Sequence, residues 1–166
     1  MISTMLIAGN NAAETAALEK VFSYLEDITL LPAVHDGRAA VDTILHHKVD
    51  ILLLDMFLQQ LDGLCVIEQV DRLAEDRRPL IFVMTDISDD RFLHRVRDRI
   101  IYCFVKPLQY ELVQLRVLEL SRTVYASAGA KEAKIDLLDR QIAADVRAIG
   151  VPAHLKGYYY LCDAIR

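Results

Sequence analysis

Residues 50–54 read DILLL, an apolar run with no polar residue alternating through it. A strand of this kind has to be buried on both faces, which a parallel sheet covered by helices provides and a half-solvated antiparallel sheet does not. Similar runs occur at 5–8, 30–34, 80–84 and 101–105, and an amphipathic stretch follows each of the five. The helices are predicted over 11–26, 38–47, from 64 to 70 after the Asp62 and Gly63 turn, 89–99 with Ser88 as cap, and 107–124. In the first, Ala12, Leu18, Val21, Phe22 and Leu25 are expected inward; in the last, Leu112, Leu115, Val117 and Leu118. Five consecutive strand–helix units with right-handed crossovers predict an α/β, flavodoxin-like, doubly wound sheet of five parallel strands in the order 2-1-3-4-5. Such a sheet places its chemistry beyond the carboxyl ends of the strands, at the switch point.

This unit takes up residues 1–124. The small-residue run YASAGA at 125–130 predicts a linker over 125–132. Beyond it Ile135, Leu138, Ile142, Val146 and Ile149 recur at helical spacing, Gly150 stops the run and Pro152 suits a further first turn. A short C-terminal helical segment is therefore expected over 133–166, too small to bury its apolar face alone.

Charge is unevenly divided. Through Leu120, 12 Lys and Arg against 19 Asp and Glu make −7; from Ser121 on, 7 against 5 make +2. An acidic body should not itself attract nucleic acid. No run approaches the roughly 20 apolar residues of a membrane span, and residues 1–8 lack the length and basic start of a signal peptide. Cys65, Cys103 and Cys162 are far apart and form no CxxC pair. They read as reduced thiols, with Cys65 expected in the core, and a cytoplasmic location follows. The five histidines show no metal-ligand spacing.

Polar side chains stand where three apolar strands end: Asp55, Thr85 and Lys106. The strand order makes these strands neighbours. A carboxylate, a hydroxyl and an ammonium in one pocket can hold a phosphoryl group on the carboxylate. Lys106 is expected to pair with Asp55 in the resting chain, directly or through one water, with Asp86 as the competing carboxylate.

DILLLD at 50–55, LDGL at 61–64, Met84 with Thr85, and FVKP at 104–107 together resemble the receiver domains of response regulators, over residues 1 to 120. The resemblance implies Asp55 as phospho-acceptor, Thr85 and Lys106 as phosphoryl contacts, and a cis bond before Pro107. The tail, IGVPAHLKGY at 149–158 with Tyr160, Leu161, Ala164 and Ile165 after it, resembles the opening of the effector domain of the stage-zero sporulation regulator, protein A. That resemblance implies transcription control through a phosphorelay. The partner would be a histidine kinase or phosphotransferase, a homodimer is compatible, and DNA would be contacted only through effector sequence beyond Arg166.

The same resemblance exposes departures. Receivers carry two acidic residues after the first strand, where this chain has Gly9 and Asn10. Asp55, the Asn10 amide and the Phe57 carbonyl are a poor set for Mg2+, which wants hard, charged oxygens in octahedral array. Mg2+ binding is accordingly expected to be weak or absent. Asp86 follows Thr85 where a small residue is usual, and Gln59 stands where the family has proline. The aromatic switch position is Cys103, so the switch is expected to be lost; Tyr102 and Phe104 flank it but should face the other way. The alternative function is a phosphorylation-independent pseudo-receiver, a dimerisation or scaffold module. No enzyme is expected: a phosphohydrolase using Asp55 wants a second Asp where Phe57 stands, and six glycines with no Trp suit neither a nucleotide nor a flavin.

Overall fold

The computed structural model describes residues 2–87 and 94–127. Its elements run β1 (Ser3–Ala8), α1 (Ala12–Phe22), β2 (Ile28–Leu30), α2 (Gly37–His46), β3 (Ile51–Asp55), α3 (Gly63–Val70), β4 (Leu80–Thr85), β5 (Tyr102–Val105) and α4 (Tyr110–Ser127). The strands form one sheet in the order β2-β1-β3-β4-β5, every pair parallel. This is the doubly wound architecture that the apolar runs imply. Met1–Ser88 with Arg99–Ser121 forms one unit, and the rest of the chain is assigned to a second. The site lies wholly in the first. Of the expected helix over 89–99, residues 89–93 lie outside the described residues and Arg97–Arg99 form a 3-10 turn instead of α-helix; the segment 133–166 lies outside them entirely.

Strand β3 is buried along its whole length, as a central strand covered on both faces must be. Met5, Ile7, Ile51, Leu53, Phe82, Met84 and Phe104 form one core with Leu18 and Phe22 of α1 and Val113, Val117 and Leu120 of α4. The alternate residues Leu6, Leu52, Leu54, Ile81 and Val83 are buried too. By strand alternation they serve the opposite face, where α2 and α3 bring Ala40, Ile44, Val66, Ile67 and Val70. Each fully buried side chain of this size contributes about 1.5–3 kcal/mol, so the two cores hold the strand ends in fixed register.

Local chemistry sets where the helices begin. Asn11 caps α1 by accepting from Ala13 N and Glu14 N, Asp36 caps α2 through Ala39 N, and Asp62 caps α3 through Cys65 N. Gly37 sits where a Cβ would come within 1.9 Å of the Leu61 carbonyl oxygen. Its N–H donates to Gln59 O at 3.1 Å, so the start of α2 pins the loop that follows β3. That loop turns through Gln60, a non-glycine residue with φ 63°, a conformation costing about 1–2 kcal/mol.

Several expectations need correction. Strand β2 covers Ile28–Leu30 rather than 30–34, with Val34 retained only as an isolated bridge to Ala8. The first helix ends at Phe22; Ala12 is exposed, because it lies in the first turn beyond the sheet edge. Leu115 is 58% exposed, whereas Val117 is buried as expected, in a stripe with Val113 and Leu120. Helix α4 continues to Ser127, through the first residues of the expected linker, since TVYAS carries no helix breaker. Cys65 is only partly buried: it lies one turn inside α3, with its backbone N–H on the Asp62 cap, rather than among the buried Val66, Ile67 and Val70.

Candidate functional site

The carboxyl ends of β1, β3, β4 and β5 converge because the register Ala8↔Leu54, Asp55↔Met84 and Thr85↔Val105 leaves them level. Asp55, the last residue of β3, has no exposed surface. A buried carboxylate needs both charge compensation and hydrogen bonds, and it has both. Lys106 Nζ donates to its Oδ2 at 2.7 Å, and Phe57 N–H donates to its Oδ1 at 2.9 Å. Lys106 reaches this place because its own N–H is held by the Thr85 carbonyl at 2.9 Å, continuing the β4–β5 ladder. The Lys106–Pro107 peptide is cis.

Lys106 has a second carboxylate beside it. Glu14 Oε2 lies 2.8 Å from Nζ, with the two side chains 14% and 11% exposed. Burial of the ammonium works to lower its pKa, but Asp55 and Glu14 outweigh this and hold it above the usual lysine value. The competitor that the sequence suggests for Lys106 is Asp86, but that residue is exposed. Glu14 takes the place instead, and sequence reasoning misses it although a signal exists. It is the third residue of a helix capped by Asn11 and starting directly after β1, so its side chain has to lie at the carboxyl end of the sheet. An acidic residue in that turn also suits the helix dipole.

Thr85 is fully buried and adjacent in register, but its hydroxyl is engaged with Ile87, accepting from Ile87 N and donating to Ile87 O, both at 3.2 Å. Of the three strand-end residues, then, Asp55 and Lys106 meet directly while the Thr85 hydroxyl is turned to its own loop. The Cys103 position lies on β5 between Tyr102 and Phe104, whose rings are 4.8 Å apart and belong to the core on the α1 and α4 side. Strand alternation puts Cys103 on the other face, partly buried. Burial pushes its thiol up to about 12. The folded chain thus holds that proton more tightly than the unfolded one. The stability this reflects is complete below the ordinary thiol value and is lost as pH rises towards 12. Iodoacetamide at a mildly alkaline pH is expected to label Cys65 in the native chain and Cys103 only after unfolding; native labelling of Cys103 at a comparable rate would contradict this.

The donor set for a divalent ion can be tested residue by residue. Gly9 offers no side chain. Asn10 Nδ2 donates to Phe57 O at 2.7 Å, and the opposite amide orientation would set two oxygens against each other at that distance. One lone pair of that carbonyl is therefore taken, and the positive edge of an amide stands where a cation would. Both Asp55 oxygens are engaged, one with an ammonium. Among the described residues no group of three His, Cys, Asp or Glu side chains is placed to hold a metal ion. These residues do not fit Mg2+ as arranged. Nor can Gly9 simply be made acidic, since a Cβ there would meet Thr15 Cγ2 at 2.7 Å, and Thr15 is buried with its hydroxyl donating to Asn11 O and Ala12 O.

A five-stranded doubly wound sheet with an acidic residue and a lysine paired at its carboxyl edge defines the receiver class of signalling domains. Residues 5–118 match the response regulator receiver domain, and the chain belongs to that family. Solved structures share the fold. The signal receiver domain of a putative LuxO repressor protein from Vibrio parahaemolyticus is 16% identical, with a TM-score of 0.67, over 76% of this chain and 95% of that one. The receiver domain of AraT, a response regulator from Geobacillus stearothermophilus, is 19% identical with a TM-score of 0.66, over 76% and 98%. A chain of the CheX–CheY–BeF3–Mg2+ complex from Borrelia burgdorferi is 20% identical with a TM-score of 0.63, over 71% and 88%. Among the described residues no helix is long and apolar enough to cross a membrane.

Proposed function

We propose that this receiver is the input part of a transcription-controlling response regulator of the sporulation type, acting in the cytoplasm, and that its Asp55 pocket works without Mg2+-dependent phosphorylation of ordinary efficiency. The observation that carries the second half is the 2.7 Å bond from Asn10 Nδ2 to the Phe57 carbonyl. It occupies one lone pair of the backbone oxygen that the family resemblance implies as a metal ligand and sets an amide N–H beside it. Without a metal to screen it, an incoming phosphoryl group meets the full charge of Asp55 and Glu14, against one ammonium. The first half rests on the resemblance of residues 149–158 to the sporulation regulator, with DNA contact left to the effector region. The protein is not an enzyme in this reading, and signals pass by assembly, a second copy of the chain being the natural partner.

The second reading, Asp55 as acceptor for a histidine kinase or phosphotransferase, is favoured by the Lys106 contact at 2.7 Å, which suits a phosphoryl group equally. Acetyl phosphate labelling followed by intact mass decides between them. We expect little label and no rise as Mg2+ is increased to about 10 mM, a concentration that saturates ordinary carboxylate sites. Mg2+-dependent labelling approaching one phosphoryl group per chain would sink the proposal. Gly9→Asp with Asn10→Asp should gain Mg2+-dependent labelling, but only together with Thr15→Ser, which removes the obstructing methyl.

A further inference from the structure

Lys106 Nζ stands between two carboxylates from different parts of the fold, Asp55 Oδ2 at 2.7 Å from β3 and Glu14 Oε2 at 2.8 Å from α1. The Asp55 contact is an aligned hydrogen bond. The Glu14 contact is ionic, for Oε2 is buried and accepts no hydrogen bond among the described residues. Two carboxylates brought this close repel each other unless a cation lies between them. Two neighbouring oxygens each already accept one hydrogen bond, Asp55 Oδ1 from Phe57 N–H and Phe57 O from the Asn10 amide. A lysine head is a mobile point charge on a flexible stem, whereas Glu14 is anchored, its N–H on the Asn11 cap at 3.2 Å and the next residue bonded back to Asn11 O.

We propose that Glu14 is a positioning residue that, with Asp55, holds the Lys106 ammonium as the resident cation of this pocket and so keeps a divalent ion out. The inference rests on the reading of Asp55 and Lys106 as a receiver pocket that dispenses with Mg2+, and it adds the residue responsible. Its chemical content is that α1, through one carboxylate, decides which cation the pocket contains. Removing the ammonium should uncover a two-carboxylate place for a hard cation, and that place should need Glu14.

Mn2+ is the probe, added to the full chain and read by paramagnetic broadening of the Glu14, Asp55 and Phe57 amides. The wild type should show no selective broadening. Lys106→Met should gain a site at least about tenfold tighter, because two uncompensated carboxylates then face one another. Glu14→Gln combined with Lys106→Met should lose that gain. A purely structural Glu14 would change stability without governing Mn2+. The inference is overturned if Lys106→Met gains Mn2+ equally with Gln at 14, if it gains none, or if the wild type binds as tightly. Should Lys106→Met fail to fold, the Lys106 ammonium resonance decides: it should be slowly exchanging in the wild type and lost in Glu14→Gln, and an unchanged signal overturns the inference. Acetyl phosphate labelling addresses the broader reading separately, so the two can fail independently.

Discussion

Lys106→Met is expected to lower the unfolding free energy by about 3–5 kcal/mol, the usual cost of stripping one partner from a buried ion pair. Asp55 has no exposed surface and Lys106 is 11% exposed, so water cannot replace the lost ammonium at Oδ2. Asp55→Asn in the same chain should recover most of the loss, because a neutral amide no longer needs a counter-ion. Asp55→Asn alone should cost less than Lys106→Met, since Glu14 still satisfies the lysine. The recovery should be incomplete while Glu14 remains charged. Urea unfolding of the four proteins gives the coupling directly, as a change in midpoint at constant slope. If the two losses merely add, the 2.7 Å contact carries no coupling and the pocket is not held together by this ion pair.

Phe82→Ala should cost a similar amount, about 3–5 kcal/mol, by opening a cavity at the centre of the sheet. Phe82 has no exposed surface and its ring stacks on Phe104, 6.5 Å between centroids with planes 21° apart. Its register partners are Leu53 on β3 and Tyr102 on β5, so the cavity would sit beside the strands that carry Asp55 and Lys106. Leu115→Ala is the control. Helical periodicity puts Leu115 inward, yet it is 58% exposed, and its removal should stay within about 0.5 kcal/mol. Comparable losses for the two variants would mean that α4 buries Leu115 rather than the stripe of Val113, Val117 and Leu120.

What the sequence determined by itself is the architecture and the meeting of Asp55 with Lys106. The run DILLL needs cover on both faces, five such runs separated by amphipathic stretches permit few topologies, and polar residues ending neighbouring parallel strands must lie together. The departures at Gly9, Asn10 and Cys103 were visible only through the resemblance to receiver domains, which says what residue types those positions ordinarily carry. Tertiary structure alone decided the remainder. Whether Asn10 presents oxygen or N–H depends on the Phe57 carbonyl 2.7 Å away, and nothing local to Asn10 encodes that. Glu14 becomes the second anion on Lys106 only because α1 packs with Leu18 and Phe22 in the core, aiming its first turn at the sheet edge. The way α4 settles through Val113, Val117 and Leu120 likewise turned Leu115 outward. Periodicity states which residues share a face; the contact between a particular pair, far apart in the chain, is set by how the helices settle on the sheet.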